Sequence, residues 1–255
     1  MSLARRIIPC LDVKDGRVVK GVRFLDLQDK GDPAALAAAY ARQGADEIAV
    51  LDVAATPAGR DTQLGVVEAV SRAIAVPLMV GGGIRSLADM GRLLEAGADK
   101  VAVNTAAVAR PALLHEAEKA FGRQFIVLSV DALRSGETWR VTTAGGRTVT
   151  DRPVLDWIRE AVDRGAGEVL LNAIDADGTR QGYACPLTAT VAAAVGVPVI
   201  ASGGAGGPED MLKVFEEGKA DAALAASIFH DGRFTVKAVK DYLAERGIPV
   251  RRTSC

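Results

Sequence analysis

Two stretches decide the fold: VPLMVGGGIRSLADM at Val76–Met90 and VPVIASGGAGGPEDM at Val197–Met211. Aligned without gaps, they set Gly82 against Gly203, Gly83 against Gly204 and Asp89 against Asp210, each pair 121 residues apart. The agreement runs further. QGADEIAVL (Gln43–Leu51) matches RGAGEVLLN (Arg164–Asn172) at the same spacing, and IIPCLD (Ile7–Asp12) matches IVLSVD (Ile126–Asp131) at 119 residues. GADKVAVNT (Gly97–Thr105) matches GKADAALAAS (Gly218–Ser227) after one inserted residue, which puts Thr105 opposite Ser227. A period this long exceeds the roughly 20–50 residues of a solenoid unit. The chain therefore reads as two copies of one half-domain, about 1–121 and 122–255.

Within each copy, short Val/Ile/Leu runs alternate with helical patterns, the signature of parallel strands joined by helices. Strands are predicted near Ile7–Leu11, Glu47–Asp52, Leu78–Gly81, Lys100–Asn104, Phe125–Val130, Glu168–Asn172, Val199–Ser202 and Ala222–Ala225. Helix starts are marked by Asp32-Pro33, by Ser86 three residues before Asp89, by Pro208 before Glu209 and Asp210, and by Thr235. Eight strand–helix units in 255 residues make one α/β domain over 1–255, a closed (β/α)8 TIM barrel built from two half-barrels. An open doubly wound sheet explains neither the twofold repeat nor two glycine loops at equivalent positions.

Two segments break the rhythm. Val13 to Asp32 reads as a long first loop, a lid with Gly16 and Gly21 as hinges. RSGETWRVTTAGGRTV (Arg134–Val149) alternates like a small hairpin after strand five.

A formal net charge of −1 supplies no field for nucleic acid or an anionic membrane. The odd, widely spaced Cys10, Cys185 and Cys255 fit a reducing compartment and match no metal-ligand pattern. With no apolar run long enough for a bilayer and no signal segment, the expectation is a cytoplasmic protein.

In a barrel, the loops after the strands form the active face, with phosphate sites common after strands seven and eight. Gly203 and Gly204 after strand seven, with Ala226 and Ser227 after strand eight, can bring backbone N–H groups to an anion. The repeat supplies a second grip from Gly82, Gly83, Asn104 and Thr105. Half-barrel symmetry sets the grips on opposite sides of the mouth, which calls for a long substrate with a phosphate at each end. Asp177 and Gly178 in DADGT (Asp175–Thr179) lie beside the later grip, as a turn-forming step or as ligands.

Asp12 and Asp131 end strands one and five, a carboxylate pair suited to general acid–base chemistry or to structural hydrogen bonding. Lys20 in the lid can meet substrate charge. His115 reads as structural, His230 as a cap or a mouth residue after strand eight, Cys10 as a small core residue, and nothing calls for a metal or other cofactor. At the opposite end, Arg6, Glu47, Lys100 and Glu168 begin strands one, two, four and six. They form either a charged ring closing the barrel floor or a solvated edge.

RIIPCLDVKDGRVVKGVRF at the start, VGGGIRS, KVAVNTAAV, ASGGAGGPED and ALAASIFH resemble the cyclase subunit family of imidazole glycerol phosphate synthase, across essentially the whole chain. The resemblance implies conversion of a phosphoribulosyl-formimino-aminoimidazole-carboxamide ribotide, with ammonia, to imidazole glycerol phosphate and aminoimidazole carboxamide ribotide. It implies Asp12 and Asp131 as catalytic, and phosphate binding by Gly82, Gly83, Asn104 and Thr105 at one end and Asp177, Gly178, Gly204, Ala226 and Ser227 at the other. It further implies a separate glutaminase subunit docked on the barrel floor, with Arg6, Glu47, Lys100 and Glu168 gating ammonia. Ala54 departs from the family pattern, in which a threonine is more usual. Two alternatives share the plan: the related sugar-phosphate isomerase, which needs no ammonia, and a non-catalytic bisphosphate-binding scaffold.

Overall fold

The structure, a computed structural model, describes residues 3–22, 25–59 and 61–252, with side chains throughout except at 20–22, 25–27 and 57. Eight strands close a parallel barrel. In chain order they are β1 (Arg6–Lys14), then, after the short strands β2 (Arg17–Val22) and β3 (Leu25–Gly31), β4 (Ile48–Asp52), β5 (Leu78–Gly81), β6 (Lys100–Val103) and β7 (Ile126–Ser135). After β8 (Thr138–Thr143) and β9 (Thr148–Pro153) come β10 (Glu168–Ala173), β11 (Val199–Ser202) and β12 (Ala222–Ala225). The order β10-β11-β12-β1-β4-β5-β6-β7 is closed by pairing of β7 with β10.

Helices cover the outside and begin where the sequence marks them. In α1 (Pro33–Arg42) Asp32 accepts from the Ala35 N–H, and between α2 (Ala55–Ala58) and the later helices lies α3 (Leu64–Ala73). In α4 (Leu87–Glu95) Ser86 and Asp89 form a capping box. There follow α5 (Thr105–Ala109), α6 (Ala112–Phe121), α7 (Val154–Asp163), α8 (Cys185–Ala194), α9 (Pro208–Glu216), α10 (Ser227–His230) and α11 (Val236–Glu245), the last capped by Thr235. None of them is long and apolar enough to cross a membrane, among the described residues.

The first insertion is a hairpin rather than a loop. Asp15 and Gly16, at φ 50° and 78°, make a two-residue turn between paired Lys14 and Arg17. Gly16 thus serves the turn, and Gly21 lies within β2. The second insertion is the expected hairpin, β8 pairing with β7 and β9. Both hairpins lengthen the strand that carries them, so Asp12 and Asp131 sit inside β1 and β7 rather than at their ends. They remain at the barrel mouth, where Asp12 pairs with Leu51 and Asp131 with Asn172.

Three carboxylates clamp neighbouring units at the floor. Asp46, Asp99 and Asp221 each precede a strand, donate their own N–H to the carbonyl of Ile7, Leu78 and Val199, and accept that residue's N–H on Oδ2 at 2.9, 2.8 and 3.0 Å. At the fourth equivalent place, Gly167 keeps only the backbone bond, to the Ile126 carbonyl. A Cβ there would stand 2.1 Å from the Arg123 carbonyl oxygen. The close approach of that backbone excludes a carboxylate.

Candidate active site

Strand alternation turns successive residues to opposite faces, and on the inward face it sorts charge by height. From floor to mouth β1 carries Arg6, Ile8, Cys10 and Asp12, and β10 carries Glu168, Leu170 and Asn172. The middle of the barrel is apolar, filled by Ile8, Ala49, Met79, Ala102, Val127, Leu170, Ile200, Ala222 and Leu224. Above it opens a cavity of about 560 Å³.

The cavity gathers nearly every mouth residue expected from sequence. Asp12 and Asp131, Gly82, Gly83, Asn104 and Thr105, and Asp177, Gly178, Gly204, Ala226 and Ser227 all line it. The Lys20 side chain lies outside the described residues. Gly82 and Gly204 adopt φ +93° and +96°, and a Cβ on them would stand 2.2 Å from the Asp52 carbonyl oxygen and 2.0 Å from that of Gly182. Only glycine allows these loops to fold back this closely. Asp89 and Asp210 fasten the loops in the same way, each Oδ2 accepting two successive N–H groups, from Arg85 and Ser86 and from Gly206 and Gly207. At the first grip, the Gly83 N–H donates to Thr56 Oγ1 at 3.0 Å and the Ala144 N–H to Thr105 Oγ1 at 3.0 Å.

The two aspartates live in different surroundings. Asp131 accepts from Asn104 Nδ2 on one oxygen and Asn172 Nδ2 on the other, both at 3.0 Å. Loss of surrounding water pushes its carboxyl above the usual carboxylate range; the two amides pull it down and the charge of Asp177 pushes it up. In the repeat, Asn104 corresponds to Ala226 and Asn172 to Leu51. Asp12, 5% exposed, therefore has apolar residues at those places, and the Cys10 thiol approaches its Oδ1 at 3.5 Å. Cys10 is buried as expected, but inside the barrel, directly below the aspartate.

At the floor the four charged strand starts form a closed ring. Glu47 accepts from Arg6 at 2.8 Å and Lys100 at 2.9 Å, while Glu168 accepts from Lys100 at 2.8 Å and from Arg6. The solvated-edge alternative fails, since Glu47 is 1% and Glu168 6% exposed. Burial pushes the Glu47 carboxyl up, against the pull of Lys100 and Arg6.

Among the described residues no group of three or more His, Cys, Asp or Glu side chains is placed to hold a metal. His230 joins two elements, its Nδ1 2.7 Å from the Tyr40 hydroxyl and its Nε2 2.9 Å from the Cys10 carbonyl oxygen. His115 lies on the outer face of α6 near Glu118.

A family model described as "Histidine biosynthesis protein" matches residues 6–235. The chain belongs to the histidine biosynthesis protein family. It is 57% identical over 251 residues to the imidazole glycerol phosphate synthase subunit HisF of Halalkalibacterium halodurans, covering 98% of this chain and 100% of that one. The protein of the same name from Bacillus subtilis is 55% identical over the same coverage. That of Methanopyrus kandleri is 52% identical over 271 residues, 99% of this chain and 100% of its own.

In this member of the family, Asn172, Thr56, Arg85 and Arg147 are among the cavity-lining residues that sequence reasoning missed. A signal existed for two of them. Asn172 is the polar counterpart of Leu51 in the repeat, and Thr56 stands 121 residues before Asp177.

Proposed function

We propose that this family member is the cyclase subunit of imidazole glycerol phosphate synthase. It uses ammonia to convert the phosphoribulosyl-formimino-aminoimidazole-carboxamide ribotide into imidazole glycerol phosphate and aminoimidazole carboxamide ribotide. The observation that carries this reading is identity above one half, over the full length, to relatives of that name. The site supports it: two grips on one cavity suit a substrate with a phosphate at each end, and two carboxylates stand between them.

Ammonia attacks the ribulosyl carbonyl carbon, and the carbonyl oxygen, becoming an alkoxide, takes a proton from Asp131. A carboxyl raised above its usual range holds a proton to give. The resulting hydroxyl takes up a second proton and leaves as water; the added nitrogen then closes the ring on the formimino carbon, Asp12 removing its proton and passing it to the departing ribotide nitrogen as that carbon–nitrogen bond breaks. Gly82, Gly83, Asn104 and Thr105 hold one phosphate; Asp177, Gly178, Gly204, Ala226 and Ser227 hold the other end, and Lys20 meets substrate charge from the hairpin. A glutaminase subunit docks at the floor as a heterodimer, and ammonia passes the ring of Arg6, Glu47, Lys100 and Glu168 into the apolar interior. An apolar path favours the neutral molecule over ammonium, which keeps the nucleophile unprotonated.

The test is turnover of the ribotide by this chain alone, with and without ammonium salt. Ammonia-dependent release of imidazole glycerol phosphate is the expected result; an ammonia-independent isomerisation, or binding without turnover, refutes the reading. Asp12→Asn and Asp131→Asn should each lower turnover about a hundredfold or more with binding largely kept.

A further inference from the structure

The duplication left the two grips unequal in charge. Arg85 follows the first glycine pair and lines the cavity; its counterpart 121 residues on is Gly206. Arg147, in the turn after β8, also lines the cavity, and the same turn sits on the first grip through the bond from the Ala144 N–H to Thr105. At the second grip, among the described residues, the nearby cations Lys30 and Arg180 are both tied to Asp231 and do not line the cavity.

We infer that Arg85 and Arg147 bind the phosphate at the first grip, so that one end of the substrate is held by charge and the other by backbone amides. The inference rests on the functional reading above and adds two recognition residues to it. Both side chains are open to solvent, Arg85 at 52%, and a guanidinium offers a phosphate a forked pair of charge-assisted donors. Arg147 makes no ion pair among the described residues. Arg85 rests on Asp61 and on the Gly59 carbonyl, but Asp61 also accepts from Arg92 at 3.0 Å. When Arg85 turns to a phosphate, Asp61 keeps a partner, so the exchange strands no charge. The shared carboxylate meanwhile holds Arg85 at the rim.

Each product carries one phosphate, and this makes the two grips separable. The affinities of imidazole glycerol phosphate and aminoimidazole carboxamide ribotide are measured by calorimetry at low and high salt, for the unaltered protein, Arg85→Gln, Arg147→Gln and the control Arg72→Gln, an exposed arginine paired with Glu68 away from the cavity. The expected result is that Arg85→Gln and Arg147→Gln each weaken the same single product about tenfold and flatten its salt dependence. The other product is unaffected, and Arg72→Gln behaves as the unaltered protein. In ammonia-driven turnover both substitutions should raise KM with little change in kcat. Equal weakening of both products, or of neither, overturns the inference; failure of the unaltered protein to bind either product overturns the functional reading and the inference with it.

Discussion

Asp12 and Asp131 occupy one place in the two sequence copies, yet Asp131 is braced by Asn104 and Asn172 where Asp12 has Ala226 and Leu51. Alternation along the strand made both carboxylates legible, because every second residue of β1 and β7 faces the barrel. The bracing was not legible. Asn104 and Asn172 meet Asp131 through the register of β6, β7 and β10, which local sequence does not encode. The asymmetry has a measurable sign. An amide donor stabilises the carboxylate, so its removal raises the carboxyl further. With Asp131 as the acid, Asn172→Leu, which installs the residue found beside Asp12, should move the alkaline limb of the pH–rate profile to higher pH. The profile is recorded at constant free ammonia concentration; an unmoved limb would separate Asp131 from the proton donor.

The barrel strands were readable because each is a short buried run bounded by turn or cap residues, and the repeat confirmed every one twice. The hairpin at Val13–Gly31 is hidden in the sequence because RVVKGV is broken by Gly21 and its Asp-Gly turn reads equally as loop. The floor clamps also escaped, although Gly-Ala-Asp stands before strands two and four and Lys-Ala-Asp before strand eight. Their energetic weight differs. Asp99→Ala removes one acceptor from the Leu78 N–H and should cost about 1–3 kcal/mol. Asp46 additionally faces Lys240 at 2.7 Å, both side chains about 95% buried. Burial already lowers the Lys240 ammonium below the usual lysine range, opposed by Asp46. Asp46→Ala leaves that charge buried and should cost about 3–5 kcal/mol. Denaturant midpoints of the two variants decide the matter, and equal losses would show that Lys240 finds another partner.

Across the whole molecule, the same inward alternation puts a charged ring at one end, an apolar interior in the middle and the reactive carboxylates at the other. If the ring gates ammonia, Lys100→Met should leave turnover with added ammonium intact. With a glutaminase partner it should raise the glutamine hydrolysed per imidazole glycerol phosphate formed; unchanged stoichiometry would mean that the ring only supports the floor. The clamps act on the same scale. They tie strand–helix units one to two, three to four and seven to eight, while at the floor of units five and six Gly167 keeps the backbone bond without a carboxylate. The floor end of strand five, which lacks the clamp, should then fray more readily than the floor ends of strands one, three and seven. Amide hydrogen exchange should show Ile126 less protected than Ile7, Leu78 and Val199, so that the close approach at Gly167 sets where the barrel floor breathes most.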